Sequence, residues 1–406
     1  MVQSLGTVPN ELVHRRSLFP HPPAPYSLCD LLPGSLFSLK EAKAMRGLPI
    51  LLFLLTSFGN ASAGGLNEWQ AEKTPRLRIA ASPYPNFLLK VLPTDVDLGD
   101  HLYRVKIDSL GMGPSSETSR GHFYTRRGGF LDLAHIRRAI DFAGYVHYRV
   151  RHCLEKGETH FSMESIDKTT YHCHFSYPAF WHRLAPVTKK HLIEEIAIRV
   201  AGEAAIDFSN WREIITWYDF HNVPGMPEKG SSFSYEDLPS HLVGAAVASR
   251  ALRAPGIPFD EAVTRELRQE LDELGVVPEE VYFRAMDLVA YRWWGKNDTL
   301  KRFLDTGEDD GLVSPWLVRG LEPGKAPKRK SYEAPERDLS DVAGYDCRGM
   351  IVLECEPHMP KKNRVLSLLG PDVSRVRPER DYPAILGRIR SEVIAEFGPH
   401  ATVPYP

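Results

Sequence analysis

The chain has no HExxH, no GxSxG, no Walker phosphate loop and no GxGxxG fingerprint. These absences remove the zincin peptidases, the nucleophile-elbow hydrolases and the common nucleotide-binding folds as direct readings. Cysteine is scarce, five in 406 residues, and no two have CxxC spacing, which argues against a structural zinc site. Neither sign of charge dominates: 50 basic against 52 acidic side chains leave −2, without the concentrated basic field of a nucleic-acid binder. Outside one short N-terminal segment, no apolar run approaches the length of a membrane span. No internal repeat is visible, and no serine or cysteine sits in a recognisable nucleophile context.

What is present begins with a displaced leader. "MRGLPILLFLLTSFGNASAGG" starts at Met45. Arg46 supplies a positive n-region, Leu48–Phe58 a short apolar h-region, and Ala61-Ser62-Ala63 an A-x-A cleavage site. The simplest reading starts translation at Met45 and treats residues 1–44 as a mis-annotated or disordered extension. Residues 45–63 are then a signal peptide, and the mature chain is periplasmic or secreted. The alternative is a chance apolar run in a cytosolic protein. No cysteine follows the cleavage site, so the leader does not specify a lipoprotein. Cys153, Cys173, Cys347 and Cys355 remain, an even number for an oxidising compartment. Local pairs, Cys153–Cys173 and Cys347–Cys355, are favoured; four buried thiols are the alternative.

The mature chain, 64–406, reads as a single mixed domain. "LYRVKIDSLGM" has strand character, and the first clear helix runs from Asp132 to about Ala143. "YVHYRVRHCLEKG", "THFSMES" and "TTYHCHFSY" alternate with period two and predict strands, with a hairpin turn at Ile166-Asp167-Lys168. Helices are then expected from Thr188 to Ala205, over "SNWREIITWYDF", and over "SFSYEDLPSHLVGAAVASRAL", where Ser234 and Asp237 have capping-box spacing. Two further helices follow, the second started by Pro278. Residues 322–338 are basic and Pro-containing and read as a linker or long loop. "GMIVLEC" is a strand, and a last helix ends at Gly398. The expected class is α+β, predominantly helical with a small antiparallel sheet.

Chemistry-bearing residues stand out against this frame. In "GGFLDLAHIRRAID", Leu133, Ile136, Ile140 and Ala143 form one apolar stripe. Asp132 lies at the helix N-cap, and His135 flanks the stripe, half buried. The bland reading is a cap and a boundary histidine. The functional reading is an imidazole held by an acidic neighbour, as a metal ligand or general base requires. Gly128 and Gly129 permit close approach of a ligand or another backbone. In the 188–205 helix, Glu203 falls about 20° from Ile196, inside the apolar stripe. Such a carboxylate needs an arginine, a histidine or a metal as partner. Glu213, three residues after Asn210, has the spacing of a cap. His172 and His174 in "YHCHF" share one strand face and offer two ligands to one metal, a weak signal among 16 histidines.

Three ordered blocks carry a resemblance. "YTRRGGFLDLAHIRRAIDFAG", "EEIAIRVAGEAAIDFSNWREIITWYDF" and "SSFSYEDLPSHLVGAAVA" are similar to those of a bacterial family, domain of unknown function 4056, over roughly residues 76–406. The resemblance implies an envelope protein, typically exported and often a lipoprotein, and brings no activity with it. The chain departs from the family pattern in two places. Arg212 stands where a histidine before the glutamate is expected, and Arg138 where an aspartate is expected. If the missing histidine were a ligand, a metal site would be weakened.

Two functions stay open. One is an exported hydrolase with a polar centre of His135, Asp132 and Glu203. In it His135 acts as base or metal ligand, Asp132 orients it, and Glu203 is acid/base or metal ligand, with or without a divalent metal. The other is a non-catalytic envelope protein binding a glycan, lipid or partner. The tryptophans at 181, 211, 217, 293, 294 and 316 would then be candidates for sugar stacking, although core packing is their commoner use.

Overall fold

Two glycines and a threonine set the first turn of the computed structural model. It describes residues 122–165, 168–218, 228–295, 299–307, 311–322, 328–358 and 363–405, all within one compact unit. The leader, the extension before it and the expected strand "LYRVKIDSLGM" lie outside the described residues, as do Ile166 and Asp167 of the expected hairpin turn. Strands β1 (His122–Thr125) and β2 (Gly129–Asp132) form an antiparallel hairpin that sets Thr125 opposite Gly129 and His122 opposite Asp132. The Thr125 hydroxyl accepts the Gly128 N–H and donates to the Gly129 carbonyl. Gly129 has φ +77°, and a Cβ there would collide with the Trp316 carbonyl oxygen. Another backbone does approach the glycine pair closely.

Helix α1 (Leu133–Lys156) begins where β2 ends. Its expected stripe, Leu133, Ile136, Ile140 and Ala143, is buried, and Tyr145, Val146, Val150, Cys153 and Leu154 continue it. The strand expected over 145–157 is therefore the second half of this helix. Its sequence fits both periods, but the four-residue steps Val146, Val150 and Leu154 extend a stripe already in register.

The expected strands β3 (His160–Glu164) and β4 (Thr169–Phe175) do form. They join β7 (Ile351–Pro357) in an antiparallel sheet of order β3-β4-β7. Phe161, Met163, Tyr171, Cys173 and Phe175 face the core. His160, His172 and His174 take the alternate positions.

Helix α2 (Pro186–Trp217) is one helix of 32 residues, not two. Asp207, Ser209 and Asn210 look like a break but are buried inside it, so Asn210 and Glu213 do not cap a helix start. Helix α3 (Asp237–Leu252) starts two residues later than the capping spacing predicts: Glu236 is its N-cap, without a side-chain cap bond, and the Ser234 N–H donates to Asp237 Oδ2 at 2.8 Å in the turn that leads into it. Helices α4 (Phe259–Leu274) and α5 (Glu279–Val289) follow, the first closed by Gly275 in the left-handed region. Short strands β5 (Leu312–Val313) and β6 (Tyr332–Glu333) pair. A short helix α6 (Asn363–Leu366) precedes α7 (Pro378–Phe397), which ends at Gly398 as expected.

The 322–338 segment is anchored where it is described. Tyr332 is buried with its hydroxyl donating to the Gly128 carbonyl, and Lys330 pairs with Glu270 and Glu273.

Helices α1, α2 and α3 pack on one another, and the large core gathers them with the β3-β4-β7 sheet and α7. A smaller aromatic core holds Tyr124, Phe130, Tyr235, Tyr282 and Trp293. Trp181, Trp211, Trp217 and Trp293 are fully buried, and Trp294 and Trp316 pack at the edge of the second core, so these rings serve packing. The favoured disulfides are absent: Cys153, Cys173, Cys347 and Cys355 are all buried free thiols. The fold is α+β, dominated by helices with small antiparallel sheets. Among the described residues, no helix is long and apolar enough to cross a membrane.

Candidate metal centre

The strand-to-helix junction at Asp132 places a carboxylate where three elements meet. The backbone N–H of Asp132 donates to Ser240 Oγ at 2.8 Å, and that hydroxyl donates to the Glu236 carbonyl at 2.6 Å. Ser240 thus bolts the end of β2 to the start of α3, a structural role. Asp132 Oδ2 meets His135 Nδ1 at 2.8 Å, so the pair expected from sequence is made, one helical turn apart. The same oxygen lies 3.2 Å from His122 Nε2, delivered from the opposite strand of the hairpin.

With Nδ1 engaged by Asp132, His135 turns Nε2 inward. It lies 3.7 Å from Glu213 Oε1 on α2 and 3.5 Å from Asp237 Oδ1 on α3. The third element supplies His241, whose ring centroid is 5.2 Å from that of His135. His241 Nδ1 contacts Asn210 Oδ1 at 3.1 Å. An amide oxygen only accepts, so Nδ1 carries the proton and Nε2 keeps its lone pair. That Nε2 is buried with no hydrogen-bond partner. Glu213 Oε2 accepts the Phe233 N–H at 3.1 Å, leaving Oε1 for the centre. One ligand atom each from His135, Glu213 and His241 then lies within 4.8 Å of the others.

This donor set fits a divalent transition ion. Two imidazoles and one carboxylate, each oriented from behind by Asp132, Asn210 or a backbone N–H, are the usual first and second layers of such a site. Gly244 brings α3 close enough for His241 to take part. A Cβ at Gly244 would overlap the Ile136 carbonyl oxygen and come within 2.7 Å of Ala139 Cβ on α1.

The electrostatics are those of a buried, carboxylate-rich cavity. Burial alone would raise Asp132, but the His122 and His135 imidazoles outweigh it and hold the carboxyl far below its ordinary range. Burial disfavours the His135 imidazolium, yet the Asp237 and Asp132 carboxylates push it up to about 10. Glu213 is buried too, but its contact with His135 pulls it down. Asp237 goes the other way: burial and the Glu213 charge raise it well above its usual value. Burial, then the charges of His135 and Arg138, keep His241 neutral. A buried Glu236, also raised, completes the acidic side. His135 keeps 15% of its side chain accessible, whereas Glu213 and Asp237 are nearly sealed, so solvent reaches the cluster along His135.

Glu203 is not brought to this cluster. It lies ten residues before Glu213 on the same helix, about 15 Å along the axis. Its charged neighbours are Arg337 and Glu379, and burial raises it to about 7. The α2 carboxylate that does reach His135 is Glu213. The signal for it is its place in the helix: at about 100° per residue it falls within roughly 40° of Ile206 and Trp217, and a carboxylate on such an apolar flank must face a partner. His122 and His241 carry no comparable sequence mark. Arg212, the departure from the family pattern, pairs with Glu228 at 2.6 Å rather than joining the three donors.

The α+β fold and a buried His–Glu–His cluster on three packed helices define the class of protein. The chain matches, over residues 73–304, the family described as "Protein of unknown function (DUF4056)", and it belongs to that family. All three donors, with Asp132, Asn210 and Asp237, fall inside the matched region. No curated protein and no solved structure matches the chain.

Proposed function

We propose that the protein is a metal-dependent hydrolase of the cell envelope, with His135, Glu213 and His241 holding one divalent ion. The observation that carries this reading is the convergence of three oriented ligand atoms from three helices within 4.8 Å, one of them a buried nitrogen with no other partner. A divalent ion supplies Lewis acidity toward a carbonyl or phosphoryl oxygen. The chain's own residues supply the rest. Asp132 fixes the His135 tautomer, and Asn210 fixes that of His241. Asp237 lies 3.5 Å from His135 Nε2 with a carboxyl that burial keeps ready to hold a proton, the property of a general acid/base. Glu203 takes no part in this scheme.

The test is metal analysis of the purified mature chain beside His135→Gln and Glu213→Gln, together with hydrolysis of ester and phosphoester test substrates. About one zinc, manganese or iron ion per wild-type chain is expected, lost in both variants, with chelator-sensitive hydrolysis. Negligible metal in all three folded proteins would end the metal reading. Bound metal without hydrolysis of any test substrate would leave a metal-binding protein and remove the enzyme.

Export is the second part of the proposal, supported by the ordered n-region, apolar core and A-x-A site of residues 45–63. N-terminal sequencing of protein from the periplasmic fraction should begin at Gly64. An intact Met1 start on cytosolic protein would refute it.

A further inference from the structure

The outer face of the β3-β4-β7 sheet carries a second group of histidines that the buried centre does not use. Antiparallel pairing sets His160 of β3 directly opposite His174 of β4, with His172 two residues along on the same face. The three rings form a close triangle, with centroid separations of 4.7, 5.5 and 6.0 Å. Their nitrogens point at one another: His160 Nε2 is 3.2 Å from His172 Nδ1. One ligand nitrogen from each ring lies within 4.8 Å of the other two.

The rings are held from behind. His172 Nε2 contacts Glu356 Oε2 at 2.9 Å, and His174 Nε2 contacts Glu354 Oε2 at 3.2 Å. A carboxylate accepts, so each of these nitrogens carries the proton and each Nδ1 keeps its lone pair. The carboxylates are themselves fixed from β7's far side. Arg375 bonds Glu356 at 2.9 Å and Glu354 at 3.3 Å, and Arg377 bonds Glu354 at 2.8 Å. Two arginines thus hold the two glutamates behind the rings.

We infer that His160, His172 and His174 form a second site, at the protein surface, for a borderline divalent cation such as Zn²⁺, Cu²⁺ or Ni²⁺. Three imidazoles with no oxygen donor among them select these ions over Mg²⁺ or Ca²⁺. In the metal-free protein His160 Nε2–H donates to His172 Nδ1. Binding moves that proton to His160 Nδ1, where solvent accepts the bond, and frees both facing lone pairs. His160 is exposed and His174 half-buried, so an ion there exchanges with solvent and keeps open positions. This differs in kind from the buried centre between the helices.

The test uses the full mature chain, stripped with a chelator and dialysed against Zn²⁺. The wild type should bind about two equivalents, His160→Ala about one, and His135→Gln about one. Since His160 is exposed, its removal leaves the core intact. Glu356→Gln, which keeps all three ligands but loosens one, should weaken the surface site about tenfold or more. Bound Cu²⁺ should show imidazole nitrogen couplings that diminish in His160→Ala. Unchanged zinc stoichiometry and affinity in His160→Ala would overturn the inference. If only the buried centre were absent, the wild type would bind one equivalent and His160→Ala none, so the two readings fail separately.

Discussion

Glu203 shows how a carboxylate that the sequence picks out can stand apart from the cluster it was expected to join. Its place in the apolar stripe of α2 demands a partner, and the structure gives it the exposed Arg337 and the like charge of Glu379. Burial dominates, and the folded carboxyl titrates near 7 against an ordinary 4.5. The folded protein therefore binds more protons than the unfolded chain between those values. Stability must fall as pH rises through that window, and the whole penalty is present above it. Glu203→Gln removes the charge and keeps the shape. The variant should gain roughly 1–3 kcal/mol at pH 8 and nothing at pH 4. Paired thermal melts at the two pH values check this. A gain equal at both would mean that shape, not charge, limits this position. The same substitution should leave metal content unchanged, because Glu203 stands apart from the three donors.

At the scale of elements, the helix packing is what makes a centre from scattered residues. His135, Glu213 and His241 come from α1, α2 and α3, and Gly244 of α3 packs directly against Ile136 and Ala139 of α1. Gly244→Ala forces α3 away from α1 or displaces the Ile136 carbonyl. An overpacked contact of this kind costs about 1–3 kcal/mol. The helix propensity gained by alanine, about 1 kcal/mol, offsets only part of it. A lowered melting temperature is expected together with weakened metal binding, since His241 lies one turn before Gly244. Melting and metal content of the variant check both halves. Unaltered metal affinity would show that the helix spacing does not set the ligand geometry.

The same elements show what was legible beforehand. The Asp132–His135 pair, the Ser234–Asp237 contact ahead of α3, and the strands β3 and β4 all follow from local spacing, and local spacing is what a sequence displays. The second half of α1 misleads because Tyr145 to His152 satisfies periods of two and of about four at once. The join within α2 is hidden because Asp207, Ser209 and Asn210 resemble a helix break while being buried inside one continuous helix. His122 and His241 reach the centre only through the hairpin register and the α1–α3 contact, both properties of tertiary packing.

For the whole molecule, the buried centre ties together the three helices at the heart of the large core. An ion that binds only the folded arrangement adds its binding free energy to stability, about 2.7 kcal/mol at a free concentration 100 times its Kd. The apo centre also gathers Asp132, Glu213, Glu236 and Asp237 around three imidazoles with little solvent to screen them. A divalent ion relieves that excess of acid, so its removal should be felt globally rather than at one loop. Chelator-treated protein should therefore melt at a lower temperature than protein supplied with Zn²⁺. The gap should collapse in Glu213→Gln, whose cavity lacks one of the negative charges that favour the ion. His160→Ala should keep most of the gap, because the surface histidines lie on a sheet that the core already holds. Equal melting temperatures with and without metal in the wild type would mean that no ion bridges these helices. The cluster would then be a metal-free hydrogen-bond network, with His135 protonated among its carboxylates.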